Sequence, residues 1–186
     1  MWPSNERALL GNEIKPKKLH DEPFIALHDM QASSDATGHG RASNVSYVIT
    51  LTDPDAPSRD RPKWSEFCHW IASGILRPTL CDPKDPGPCA PILTDLDTVM
   101  SYKAPGPPEK TGRHRYVFLA FVPSNGTTDK LHLSKPSGRK HWGYDAKKGK
   151  TKGVREWAEE NGLAPVGKCQ VVLDVAGLQR GADGGH

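Results

Sequence analysis

Val45-Ser46-Tyr47-Val48-Ile49-Thr50-Leu51-Thr52-Asp53-Pro54-Asp55-Ala56-Pro57-Ser58-Arg59 changes character halfway along. In its first half Val45, Tyr47, Ile49 and Leu51 alternate with Ser46, Thr50 and Thr52, the period-two signature of a strand. From Asp53 onward the block is a turn former. Its prolines donate nothing to a central ladder, so the strand has to stop there. Working outward, residues 67–75 read as a second extended segment and residues 96–102 as a third. Residues 115–122 form a fourth, holding the most apolar run of the chain, Tyr116-Val117-Phe118-Leu119-Ala120-Phe121-Val122. Continuous hydrophobicity predicts a strand covered on both faces.

One late stretch reads as helix. Thr151 is placed to cap it, Val154, Trp157 and Ala158 give it an apolar face, and Gly162 ends it. Strands in the middle and a helix near the end fit a β-sandwich or large sheet with peripheral helices better than alternating βαβ units. Composition agrees. Of 186 residues 18 are Gly and 17 are Pro, so long helices, and with them a helical bundle, are excluded. The length suits one domain, residues 1–186. Residues 30–42, rich in Ser, Asp, Gly and Thr, read as an exposed loop.

No run approaches the roughly 20 apolar residues of a membrane span. Residues 1–7 lack the basic start and apolar run of a secretory signal, so a cytoplasmic protein is expected. A net charge of +3 is too small to argue for nucleic acid. The charge is uneven, however: residues 135–155 hold eight Lys and Arg against Asp145 alone. That run reads first as a solvated loop and helix entry, and second as a docking patch for an acidic partner or a membrane surface. Cys68, Cys81, Cys89 and Cys169 form no C-x-x-C pair, so no structural zinc site is expected. Cys81 and Cys89 bracket a proline-rich turn and could close a small disulfide loop, while the lack of a signal favours reduced thiols.

Two segments concentrate chemistry. The first is the 53–59 block with the downstream His69 of Phe67-Cys68-His69-Trp70. The second is Gly106-Pro107-Pro108-Glu109-Lys110-Thr111-Gly112-Arg113-His114-Arg115-Tyr116. Each sets a rigid proline loop at a strand end beside carboxylate, imidazole or phenol groups, which holds polar groups in place at little ordering cost. Singly, each also reads as an ordinary turn, a half-buried histidine or a tight strand connection.

Together the two blocks resemble the signature regions of the phosphatidylethanolamine-binding proteins, whose members include kinase inhibitors and a carboxypeptidase inhibitor. The resemblance runs from about residue 10 to 167. The 81–89 segment and the 30–42 loop look like the fungal branch. It implies a mainly β fold: a central antiparallel sheet, a second smaller sheet making a sandwich, and short peripheral helices. It also implies a shallow anion pocket at one end of the sheet. Asp53, His69, His114 and Tyr116 should line that pocket, Gly106, Pro107 and Pro108 should rim it, and Asp55 and Arg59 should hold the first loop.

Two imidazoles, a phenol and backbone N–H groups are donors suited to a phosphate head group. Asp53 beside a histidine would favour the protonated imidazole, a cationic donor near neutral pH. With no Lys or Arg expected in the wall, a free head group should bind weakly. No G-x-S-x-G surrounds Ser58 or Ser73, and neither H-E-x-x-H nor a phosphate-cradling glycine loop occurs. The reading is therefore a monomeric, non-catalytic binding protein without cofactor or metal. Its expected partners are a phospholipid head group or other small anion, with possible peripheral membrane contact, and a serine carboxypeptidase. The alternatives are a kinase-pathway regulator binding a phosphoprotein and, further off, a hydrolase. Both ends depart from the family pattern. The N-terminus looks shortened, and residues 168–186 read as an atypical tail, although Val171-Val172-Leu173 could extend a strand.

Overall fold

The structure, a computed structural model, describes residues 1–7, 9, 11–27, 46–77, 91–145 and 152–174, with side chains through residue 167. The 30–42 loop, Val45, the 81–89 segment, Thr151, residues 146–150 of the basic run and residues 175–186 lie outside the described residues. The strands are β1 (Asn12–Glu13), β2 (Ser46–Asp53), β3 (Phe67–Arg77), β4 (Ile92–Met100), β5 (Arg113–Pro123) and β6 (Leu163–Asp174), with helix α1 (Val154–Glu160) before the last. They form a single six-stranded sheet in the order β1-β6-β5-β2-β3-β4. Every pairing is antiparallel except β1 with β6. Among the described residues this is the only sheet; what covers its two faces is not a second sheet but loops, short turns and α1.

The strand ended by Asp53 is the centre of the molecule. Tyr47, Ile49 and Leu51 of β2 enter one apolar cluster with Trp2, Ile14, Leu19, Trp70 and Phe118. Val48 faces the other way, into a cluster with Ile71, Phe121, Trp142, Val154 and Trp157. Seven of the eight β2 residues are buried. The strand covered on both faces is therefore β2, whereas the more apolar β5 alternates buried and half-buried positions along most of its length. The reason is position. β2 lies between β5 and β3 under both layers, and its outward polar groups are threonines that find partners or packing on a covered face.

On one face the cover begins with Trp2. Its indole stands edge-on to Phe118 at 5.7 Å and donates to the Tyr102 hydroxyl at 3.0 Å, which itself donates to the Leu19 carbonyl. On the other face α1 buries Val154, Trp157 and Ala158, the three residues of its apolar stripe. Gly162 ends it at φ +64, a conformation that costs glycine little. Its N-terminus is held by two carboxylates: Glu156 accepts the Gly153 N–H at 2.8 Å, and Glu66, from the loop before β3, accepts the Val154 N–H at 3.2 Å.

β6 does not stop at Gly167. It pairs with β5 from Leu163↔Pro123 through His114↔Leu173 to Arg113↔Asp174, and β1 adds in parallel at Val171 and Val172. Val171 and Val172 are β-branched, which suits that ladder.

Gly74 marks a close approach of β3 to β4. A Cβ there would stand 2.5 Å from the Thr94 carbonyl and 2.9 Å from a Leu96 methyl, inside an interrupted register between Ser73 and Ile75. Gly74→Ala should destabilise by about 2 kcal/mol, a fall of roughly 4–8 °C in Tm. Gly106→Ala, whose Cβ would meet only the Ala104 carbonyl at 4.0 Å, should melt within 1–2 °C of the parent in the same calorimetric scan.

Candidate functional site

The end of the sheet where β2 finishes and β5 begins gathers the predicted residues. Thr52 pairs with Val117, so the next residue, Asp53, comes beside Tyr116 and His114. His69 arrives by a different device. The β2–β3 register steps from Leu51↔Trp70 to Thr52↔Cys68, leaving His69 as an extra residue in β3. Such a bulge re-aims side chains. Cys68 packs in one apolar cluster and Trp70 in the other. His69, between them, lies 5.1 Å from the Tyr116 ring on the Trp70 side. Its carbonyl accepts from Lys103 N–H at 2.8 Å and from the Arg139 guanidinium at 3.0 Å.

Asp53 is 2% exposed, and both its oxygens are answered. Oδ1 accepts the Asp55 N–H at 2.7 Å, and Oδ2 accepts from His114 Nδ1 at 2.9 Å. On the far side of that ring, Nε2 lies 3.0 Å from Thr111 Oγ1. Thr111 has one hydroxyl proton, and it goes to the Pro108 carbonyl at 2.6 Å, since a carbonyl accepts only. Thr111 therefore receives a proton from Nε2. His114 is thus held on both sides of its buried ring, by Asp53 and by Thr111.

His69 is the opposite case. Its Nδ1 lies 2.7 Å from the Lys103 carbonyl, so Nδ1 carries the hydrogen and Nε2 is a lone pair. Burial, the largest cause, pushes the imidazole down to about 4; the Lys103 carbonyl and Asp53 pull it up, and the Arg139 and Lys103 charges push it down. His69 is therefore neutral at neutral pH. Tyr116 lies with its phenol against the Asp53 carboxylate and the Gly106 amide; burial first, then the Asp53 charge, raise it well above the ordinary range and keep it protonated.

Asp55 stands one turn residue away and grips β5 instead of the cluster. Arg115 donates its N–H to it at 2.8 Å and forks its guanidinium onto both oxygens, at 2.9 and 2.7 Å. Burial acts to raise that carboxyl, but the Arg115 hydrogen bonds and the charges of Arg115 and Arg59 outweigh it and hold it below the usual range. Gly106 is placed by its amide against Tyr116, and Pro108 by its carbonyl. Pro107 is buried in the same loop.

Sequence reasoning missed several supporting residues. Thr111 and Arg115 stand inside the 106–116 block, so their neighbourhood was legible but not their bonds. Phe67, 4.9 Å from the His69 ring, adjoins it in sequence. Arg139, whose guanidinium also reaches Cys68 and Ser101, is distant in sequence and gives no local signal. The described members of the basic run are dispersed: Lys140 lies over the Trp64 ring at 4.1 Å, Lys152 over Tyr144 at 4.8 Å, and Arg155 beside Glu159. Among the described residues no group of His, Cys, Asp and Glu is arranged to hold a metal, and no helix is long and apolar enough to cross a membrane.

Fold and cluster define a class: a mainly β domain that gathers buried polar groups at one end of its sheet. Residues 7–168 match the family model for phosphatidylethanolamine-binding protein, and the chain belongs to that family. It is 30% identical over 171 residues to carboxypeptidase Y inhibitor of Saccharomyces cerevisiae, covering 87% of this chain and 76% of the inhibitor. An uncharacterised protein of the same yeast is 36% identical over 160 residues, covering 85% and 71%. A crystal structure of carboxypeptidase Y inhibitor complexed with the cognate proteinase shares the fold at a TM-score of 0.67 and 29% identity, over 90% of this chain and 77% of that one. The family and these fungal relatives support a binding or inhibitory role.

The neutral His69 has a consequence for stability. A group with an ordinary value of 6.5 and a folded value of about 4 contributes stability above pH 6.5 that is lost as the pH falls towards 4, because only the unfolded chain takes up the proton. The loss should reach about 3 kcal/mol. Urea titrations at pH 7.5, 6 and 5 should show this slope in the parent, and His69→Gln should flatten it.

Proposed function

We propose that the Asp53–His69–His114–Tyr116 cluster is the floor of a small-anion site that accepts a phosphate head group, rimmed by Gly106, Pro107 and Pro108. The observation that carries this reading is the buried His114 ring, fixed by Asp53 on one side and Thr111 on the other. It stands at the sheet end beside a re-aimed His69. Two cations near it are committed elsewhere: Arg115 to Asp55, and Arg139 to three carbonyls and the Ser101 hydroxyl. A free head group therefore binds with a Kd on the order of millimolar. Tighter binding needs apolar contacts or a membrane surface. Titrating phosphoethanolamine while following amide and imidazole NMR shifts should give saturable changes in the parent. His69→Ala should weaken binding about tenfold or more; equal binding by the two proteins overturns the assignment.

The same reading makes the protein act by occupancy and not by turnover. Ser58 accepts the Arg61 N–H in a turn, and Ser73 lies in mid-strand opposite Val48. Burial pushes the Cys68 thiol, next to His69, up to about 12, so it supplies no thiolate. Likeness to carboxypeptidase Y inhibitor over most of the chain favours a serine carboxypeptidase as the protein partner. A peptidase assay with yeast carboxypeptidase Y should show stoichiometric inhibition at micromolar protein. Full activity at a tenfold micromolar excess would remove this partner and leave head-group binding standing alone.

A further inference from the structure

The anion site just proposed, on which this inference rests, is short of free donors. Both ring nitrogens of His114 are taken, Nδ1 by Asp53 and Nε2 by Thr111. The Tyr116 hydroxyl faces the Asp53 carboxylate. His69 gives Nδ1–H to the Lys103 carbonyl, and its Nε2 has no hydrogen-bond partner among the described residues. An oxyanion entering without a proton meets a nitrogen lone pair at His69 and a carboxylate at Asp53, and both repel it. One proton shared between a ligand oxygen and that nitrogen turns the repulsion into a charge-assisted hydrogen bond.

We propose that the site takes up its anion together with one proton, held between His69 Nε2 and a ligand oxygen, and so selects oxyacids that can be monoprotonated over aprotic anions of the same shape. The proton arrives either on the ligand or from solvent, and no other bond changes. Groups on every side of the ring set its preference. Asp53 on β2 draws the proton in. Lys103 after β4 and Arg139 before the 141–143 turn oppose it, while His114 and Tyr116 on β5 and Phe67 on β3 complete its surroundings. Burial keeps the empty His69 unprotonated, so the proton is gained on binding and not carried beforehand.

A phosphate monoester loses its second proton near pH 6. Above that pH its apparent affinity should fall about tenfold per unit, and binding at pH 7.5 should consume nearly one proton per ligand. A sulfate monoester has no such proton and can bind only by protonating His69 against its environment. Isothermal titration calorimetry of phosphoethanolamine at pH 7.5, in buffers of different ionisation enthalpy, counts the protons directly. The expected result is an uptake near one at pH 7.5 and near zero at pH 5. O-sulfoethanolamine should bind at least tenfold more weakly than phosphoethanolamine at pH 6. In His69→Gln an amide N–H replaces the lone pair, so proton uptake should vanish and the sulfate ester should gain on the phosphate ester. Parent binding of phosphoethanolamine with no linked proton, and equal affinities for the two esters from pH 5 to 8, overturns proton coupling and leaves the anion site intact. No binding of either ester by the parent at any of these pH values overturns the site and the coupling together. The parent titrations decide the matter even where the variant fails to fold.

Discussion

A carboxylate can lie 2% exposed inside a β protein only when its charge is matched and its lone pairs are filled. Asp53 meets both conditions through His114 and the Asp55 amide, and much of the molecule is arranged around that. Asp53 ends β2, His114 begins β5, and their bond closes the end of the central strand pair. Asp55 repeats the grip one residue along, taking Arg115 from the opposite face of β5. Two carboxylates spaced by one proline thus hold two successive residues of one strand. This is a physical reason for the Asp-Pro-Asp order: proline keeps the two side chains apart and the turn stiff.

The residue before Asp53 does the corresponding work on the other face. Thr52 Oγ1 accepts the Trp142 indole N–H at 3.1 Å and donates towards Glu66 or the Phe67 carbonyl. Glu66 in turn answers the first free amide of α1. Burial, the main cause, raises that carboxyl, with Glu156 adding to it, while the Val154 and Thr52 hydrogen bonds pull it down. Thr52 and Asp53 therefore couple the two layers through adjacent side chains of one strand. Substitutions around Glu66 and α1 act on the same strand end that carries the polar cluster.

Much of the fold was legible because the strands obey simple periodicities. β2 was read to within one residue, its end at Asp53 dictated by proline chemistry, and the apolar face and stop of α1 were read correctly. The burial ranking of β2 and β5 was not legible, because it depends on sheet order and not on apolar content. Trp2 gave no signal, since its partner Phe118 is more than a hundred residues away. The membership of the polar cluster was legible from the two proline blocks and the family they resemble. Its hydrogen bonding was not. What each histidine bonds depends on the Lys103 carbonyl, the Thr111 hydroxyl and a bulge at His69, and each of these is a tertiary fact with no local pattern.

These same facts bear on the anion site proposed for the cluster. The first amide of α1, which could have faced an anion at a helix N-terminus, is already occupied by Glu66. Asp53 lies against His114, so the cluster carries no surplus positive charge. A site without surplus positive charge does not draw anions from a distance, and it discriminates by hydrogen bonds at contact. On the proposed reading the cluster checks the identity of one group, and affinity has to come from contacts around it. Rigid proline loops and a strand bulge would fit such a task, because they leave the His69 ring little room to move.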